Sequence, residues 1–184
     1  MFAQDLSCAH FGSDTDTAQR PRCTVLPGNL CFVTEWTADK RHLILTAFDA
    51  LKGRGPELAR FDVEPGAEYT EVPSPDGSRI AIKKHWDNRI HISFLNGQPV
   101  QEITIKHWTN MAGLVWAADG KGWYTLSKDH NEAVVLYIDL QGEAHPLWDL
   151  KGNAVAYGLP SPDGHHLAIV ATSRSTNVWV MENF

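Results

Sequence analysis

The chain of 184 residues predicts an all-β fold: a β-propeller of about four to five four-stranded blades, either incomplete or completed by a second chain. Three observations predict it. The line PSPDGSRIAIKK, starting at Pro73, returns nearly unchanged as PSPDGHHLAIVA from Pro160. Two weaker copies, TEWTADKRHLILTAF and VWAADGKGWYTLS, align with them and place Asp39, Asp76, Asp119 and Asp163 at matching points, 37, 43 and 44 residues apart. That spacing is the period of a four-stranded blade. Within each copy, apolar and polar residues alternate between turn signals, which is the pattern of an antiparallel meander.

The elements follow in chain order. Residues 1–28 form an N-terminal segment, read as a degenerate blade or a closing strand, and residues 29–184 carry the propeller repeats. Each repeat opens with an apolar run (NLCFVTEW, AEYTEVP, MAGLVW, AVAYGLP) that ends in a tight turn. Asp bonds backbone amides inside that turn, and Gly supplies the positive φ that closes it. Lys40 stands where the other copies have Gly, so the first turn is expected to differ or to be strained. A second strand (HLILTAF, RIAIKKHW, GWYTLS, HLAIVAT) and a third (LARFDV, RIHISFL, VVLYIDL, NVWVMENF) complete the common pattern. Between the first pair, GRGPE (Gly53 to Glu57) reads as a loop. Fourth strands show in two copies only, VQEITI and HPLWDL, so the first blade is expected to skip or shorten its fourth strand. The last copy also lacks one, and RCTVL (Arg22 to Leu26) is the candidate to supply it and close the ring, because an open sheet edge invites pairing.

Composition narrows the functional classes. A net charge of −6 with no basic run argues against nucleic acid as a partner. No stretch is long and apolar enough for a membrane span, and the opening residues do not read as a signal peptide. A cytoplasmic location follows for the chain as given, or a periplasmic one if it is part of a membrane-anchored protein. The cysteines Cys8, Cys23 and Cys31 match no zinc spacing and read as buried thiols or at most one bridge.

PSPDGSRIAI followed by RIHISFL, and PSPDGHHLAIV followed by NVWVMENF, resemble the TolB-type, WD-repeat-like β-propeller repeats. The ending STNVWVMENF is similar to the close of propeller domains that follow DNA-binding or kinase domains in larger bacterial signalling proteins. The resemblance covers roughly residues 29–184. It implies that the first strand of each blade lines a central channel, and that the chain serves as a scaffold or sensor, since such propellers host many tasks.

The channel candidates are therefore Glu35, Glu71, Tyr69, Asn110, Asn153 and Tyr157, with Asn29, Thr34 and Glu68 as further polar residues on the same segments. Oxygen ligands converging from several blades suit calcium, and Glu35, Glu71, Asn110 and Asn153 are the candidate set for Ca2+. Propeller lactonases have such an ion, which polarises a carbonyl and orients water. Glu35 and Glu71 fall one register apart, so only one of them should face the channel. The four turn aspartates are read as structural. The nine histidines are scattered and read as ordinary surface or packed residues. No nucleophile elbow and no phosphate-binding glycine loop occurs. Of the seven tryptophans, Trp36 and Trp116 are expected to pack between blades, while Trp86 and Trp108, on loops, are the candidates for contacting a partner. The leading functional expectation is a non-catalytic interaction or ligand-sensing module for a protein or small molecule. A calcium-dependent lactone or ester hydrolase is the alternative, and a homodimer through open blade edges a third idea.

Overall fold

The computed structural model describes residues 21–24, 30–129, 132–151 and 154–173. Its elements are all antiparallel strands, in four sheets. The first sheet holds β1 (Arg22–Cys23), β2 (Cys31–Trp36), β3 (His42–Asp49) and β4 (Gly53–Asp62), and the second β5 (Tyr69–Pro73), β6 (Arg79–Lys84), β7 (Arg89–Phe94) and β8 (Gln101–Thr104). The third holds β9 (Met111–Trp116), β10 (Gly122–Asp129), β11 (Glu132–Asp139) and β12 (Ala144–Lys151), and the fourth β13 (Ala154–Pro160) and β14 (Leu167–Ser173). Each sheet is a meander in sequence order, and β1, β5, β9 and β13 lie side by side as the inner strands of successive blades. This is an incomplete propeller of the kind the repeat period predicts.

The first blade departs from the sequence frame in an informative way. Arg22 and Cys23 pair with Phe32 and Cys31, so β1 is the innermost strand and β2 the second. The blade therefore has four strands and no missing outer one. His42 pairs with Asp62 as Arg89 pairs with Thr104, and Val63 N donates to Arg41 O as Ile105 N donates to Asn88 O. The Asp39 turn thus joins the second and third strands, whereas the Asp76, Asp119 and Asp163 turns join the first and second. The short first spacing of 37 residues has this cause.

GRGPE belongs to β4, not to a loop. Its irregular register, with breaks between Leu45 and Phe48, accommodates Pro56 on an outer strand, where a missing N–H is tolerated. Cys23 and Cys31 form a disulfide across the β1–β2 pair. Arg22 and Cys23 stand at the first blade. Val25 and Leu26 lie outside the described residues, as do Cys8, Asn177–Phe184 and the last-blade edge on which a closing strand would sit.

The core lies between blades. Leu43, Leu45, Phe61 and Val63 pack against Ile80 and Ile82, and one blade further Ala81, Ile90, Ile92 and Ile103 pack against Met111, Trp123, Leu136 and Ile138. Each such side chain contributes about 1.5–3 kcal/mol by leaving water. Trp116 and Trp123 pack at a 46° tilt with ring centroids 4.5 Å apart, and Trp116 Nε1 donates to Val72 O across the blade junction at 3.0 Å. The Arg79 guanidinium covers the same indole at 4.8 Å and donates to Gly120 O. Trp36 meets Tyr69 edge-on at 6.2 Å.

Candidate functional site

The antiparallel sheets have two ends. One carries the turns between first and second strands and between third and fourth. The other, the crossover face, carries the turns between second and third strands and the loops that take the chain to the next blade.

The turn aspartates hold backbone. Asp76 accepts from Ser74 Oγ at 2.5 Å and Ser78 N at 3.1 Å, and Asp119 accepts from Lys121 N. Asp163 accepts from Ser161 Oγ and His165 N, and Asp39 from Thr37 Oγ1 and Arg41 N.

Those channel candidates that lie among the described residues each have a separate local environment. Glu35 sits on β2, one strand away from the inner edge, because of the frame shift in the first blade. Both its oxygens are taken by Arg54 at 2.7 Å. Glu71 is on an inner strand, but it is buried against Arg22, whose Nε lies 3.2 Å away. Tyr69 turns its hydroxyl to Glu64 N at 3.0 Å. Tyr157 lies on β13 opposite Val170, and Asn110 ends the loop before β9, where its carbonyl accepts from Lys128 N. Asn29 and Asn153 lie outside the described residues. Among the described residues no group of three or more His, Cys, Asp or Glu comes together for a metal.

Backbone strain marks the crossover face instead. The non-glycine residues with left-handed backbone, among those described, are Lys40 (φ 58°), Trp86 (φ 67°), His107 (φ 64°) and Asn110 (φ 53°). All four belong to crossover-face loops. Such a conformation costs roughly 1–2 kcal/mol for a residue with a Cβ, less for Asn, and strain of this kind gathers at functional sites. Trp86 is held by its N–H on Met111 O at 2.7 Å, yet its side chain is half exposed at 51%. Trp108 is half-buried against the core between the second and third blades. Beside it opens a cleft of about 410 Å3, lined by His107, Trp108, Asn110, Lys128, Asp149 and Lys151 among others.

The same face carries a polar chain at the channel mouth. Thr70 Oγ1 lies 2.7 Å from His85 Nε2, and Glu68 Oε2 lies 3.2 Å from His85 Nδ1. Burial lowers the His85 pKa below its ordinary value, the Lys83 charge adds to this, and Glu68 opposes it. Lys83 is buried, and desolvation pushes its pKa down to about 8. Its Nζ donates to Met111 O at 2.6 Å and Lys84 O at 3.0 Å.

The reading of the histidines as scattered missed this group. The signal was available, since a hairpin that pairs Pro73 with Ile80 brings Thr70 opposite Lys83 and Glu68 opposite His85.

This architecture defines a TolB-like β-propeller. No family model matches the chain, and no curated protein does. Among solved structures it resembles TolB from Acinetobacter baumannii, with a TM-score of 0.61 and 18% identity over 85% of this chain and 38% of that one. It also resembles a prolyl endopeptidase (TM-score 0.56, 17% identity, 83% of this chain and 25% of that one). A puromycin hydrolase mutant gives 0.51 at 15% identity, over 80% of this chain and 26% of that one. The chain thus spans well under half the length of these structures, and the likeness is one of fold.

Proposed function

We propose that the chain is an interaction and ligand-sensing propeller module that works through its crossover face. The observation that carries this reading is the gathering of Lys40, Trp86, His107 and Asn110, all left-handed, on that one face. The opposite turns use Gly77, Gly120 and Gly164 for the same geometry and store no such strain. A half-exposed indole at Trp86 and a second at Trp108 beside a cleft supply the aromatic contact area that recognition sites favour. The neighbouring Lys128, Asp149 and Lys151 supply charges of both signs. The Cys23–Cys31 disulfide supports residence in an oxidising compartment such as a periplasm, and the mass of the alkylated, unreduced protein checks it.

A thermal-shift panel of small molecules and peptides tests the reading, since a ligand of the native state raises the midpoint. Ligands that stabilise the wild type and fail to stabilise a Trp86→Ala, Trp108→Ala double variant are the expected result. Ligands whose effect survives that substitution would move the site elsewhere.

A further inference from the structure

We propose that Thr70, His85 and Glu68 form an acyl-transfer relay, with Thr70 as nucleophile, and that the ligands captured on this face include esters or lactones. The inference rests on the crossover face being the ligand-binding face and adds the chemistry performed there.

The arrangement brings a hydroxyl and a carboxylate to the two nitrogens of one imidazole, the Glu68 contact being electrostatic and not an aligned hydrogen bond. Thr70 Oγ1 is within hydrogen-bond reach of His85 Nε2, and the Glu68 carboxylate stands at the other ring nitrogen. A carboxylate at Nδ1 favours the tautomer that carries its proton there, which leaves Nε2 as acceptor for the hydroxyl proton. This is the pattern of an activated nucleophile, in which a third group orients the base. The charged groups acting on the ring are Lys83 and Glu68, and burial with the lysine keeps the imidazole neutral near pH 7, the form a general base needs. Lys83 is also the direct cross-strand partner of Thr70. Its Nζ is committed to the carbonyls of Met111 and Lys84, so it acts on this site through its charge and not as a donor to the oxyanion. Thr70 is only partly buried and the Glu68 side chain is 67% exposed, so the group opens to solvent.

The step balances without a cofactor. Thr70 Oγ1 forms a bond to the acyl carbon while its proton passes to His85 Nε2. The carbon to alkoxide-oxygen bond then breaks, and the proton passes from His85 to the leaving alcohol. Water attacking the acyl-threonine through the same base regenerates the hydroxyl and releases the acid. In a lactone the alcohol stays attached to the captured acyl chain.

The simpler role for these contacts is a tie between β5 and the following hairpin, and the experiment separates the two. The full chain is incubated with p-nitrophenyl acetate, nitrophenolate release is followed against pH, and the acetylated peptide is located by mass spectrometry. The relay predicts acetyl on the peptide carrying Thr70 and a loss of about 100-fold or more in Thr70→Val and His85→Gln. Thr70→Ser should keep the reaction, and Glu68→Gln should lower the pH at which the rate rises. Acetylation at other sites, or release unchanged in Thr70→Val, overturns the relay and leaves the structural tie. Thermal midpoints identify any variant that fails to fold, in which case Thr70→Ser and Glu68→Gln decide. Loss of labelling in Thr70→Val with panel binding intact separates this chemistry from the recognition reading.

Discussion

Lys83 offers a quantitative test of how the blades are joined. The residue is 1% exposed and, among the described residues, its ammonium bonds to the carbonyls of Met111 and Lys84, so burial holds its pKa at about 8 against an ordinary 10.5. In the unfolded chain the amine regains the ordinary value. The unfolded state therefore binds more protons between about pH 8 and 10.5, and stability rises with pH across that window. At about 1.36 kcal/mol per pKa unit, the full effect is on the order of 3 kcal/mol, all of it destabilising below pH 8. Lys83→Met removes the titration and keeps the stem volume, and Met111 O retains its bond from Trp86 N at 2.7 Å. Urea unfolding of both proteins at pH 7 and pH 9.5 should show the wild type gaining about 2 kcal/mol relative to the variant. Taking the difference cancels the other titrating groups. A difference that stays constant with pH would refute the description of a buried, desolvated amine.

Three further outcomes follow from individual turns. Lys40→Gly should stabilise by about 1 kcal/mol in urea unfolding, because an exposed residue at φ 58° is relieved of strain; a destabilised variant would show that the lysine conformation is not strained. Gly142→Ala should cost more than Gly97→Ala: both have positive φ, but a Cβ at Gly142 would sit 2.2 Å from Thr104 O while one at Gly97 meets open space. Equal midpoints for the two would contradict the packing of that turn on the second blade. Asp39, Asp76 and Asp163 are all held below the ordinary carboxylate value. Hydrogen bonds from Thr37 and Ser161 lead at Asp39 and Asp163, and at Asp76 burial opposes the bonds from Ser74 and Ser78 but does not outweigh them. Their stabilisation is present above the ordinary carboxylate range and is lost as pH falls through the lowered values, so an Asp76→Asn variant should lose less stability than the wild type on acidification.

The repeat period, the alternating strands and the turn chemistry were all legible in the sequence because each is a local property. PSPDG fixes a hairpin wherever it falls, and Lys40 announced a left-handed turn by replacing glycine. The frame of the first blade was not legible. The Thr-Ala-Asp-Lys turn closes a hairpin equally well between first and second strands or between second and third. The strand that decides the matter, Arg22–Cys23, is two residues long and too short to show alternation. Glu35 was assigned to an inner strand for that reason and lies on the second. The grouping of Thr70 and His85 with Glu68 was missed differently. They belong to no motif, and only the pairing register of β5 with β6 brings them together. Trp116 and Trp36 were readable because the residue before each Asp turn faces a neighbouring blade in both frames.

The measurement that bears most directly on the crossover face as the working surface is a fluorine NMR titration of the 5-fluorotryptophan protein with the ligands from the thermal-shift panel. The resonances of Trp86 and Trp108, assigned by single substitution, should move while those of buried Trp116 and Trp123 stay in place. Movement confined to Trp116 and Trp123, or to none of these four, under saturating ligand would contradict that assignment.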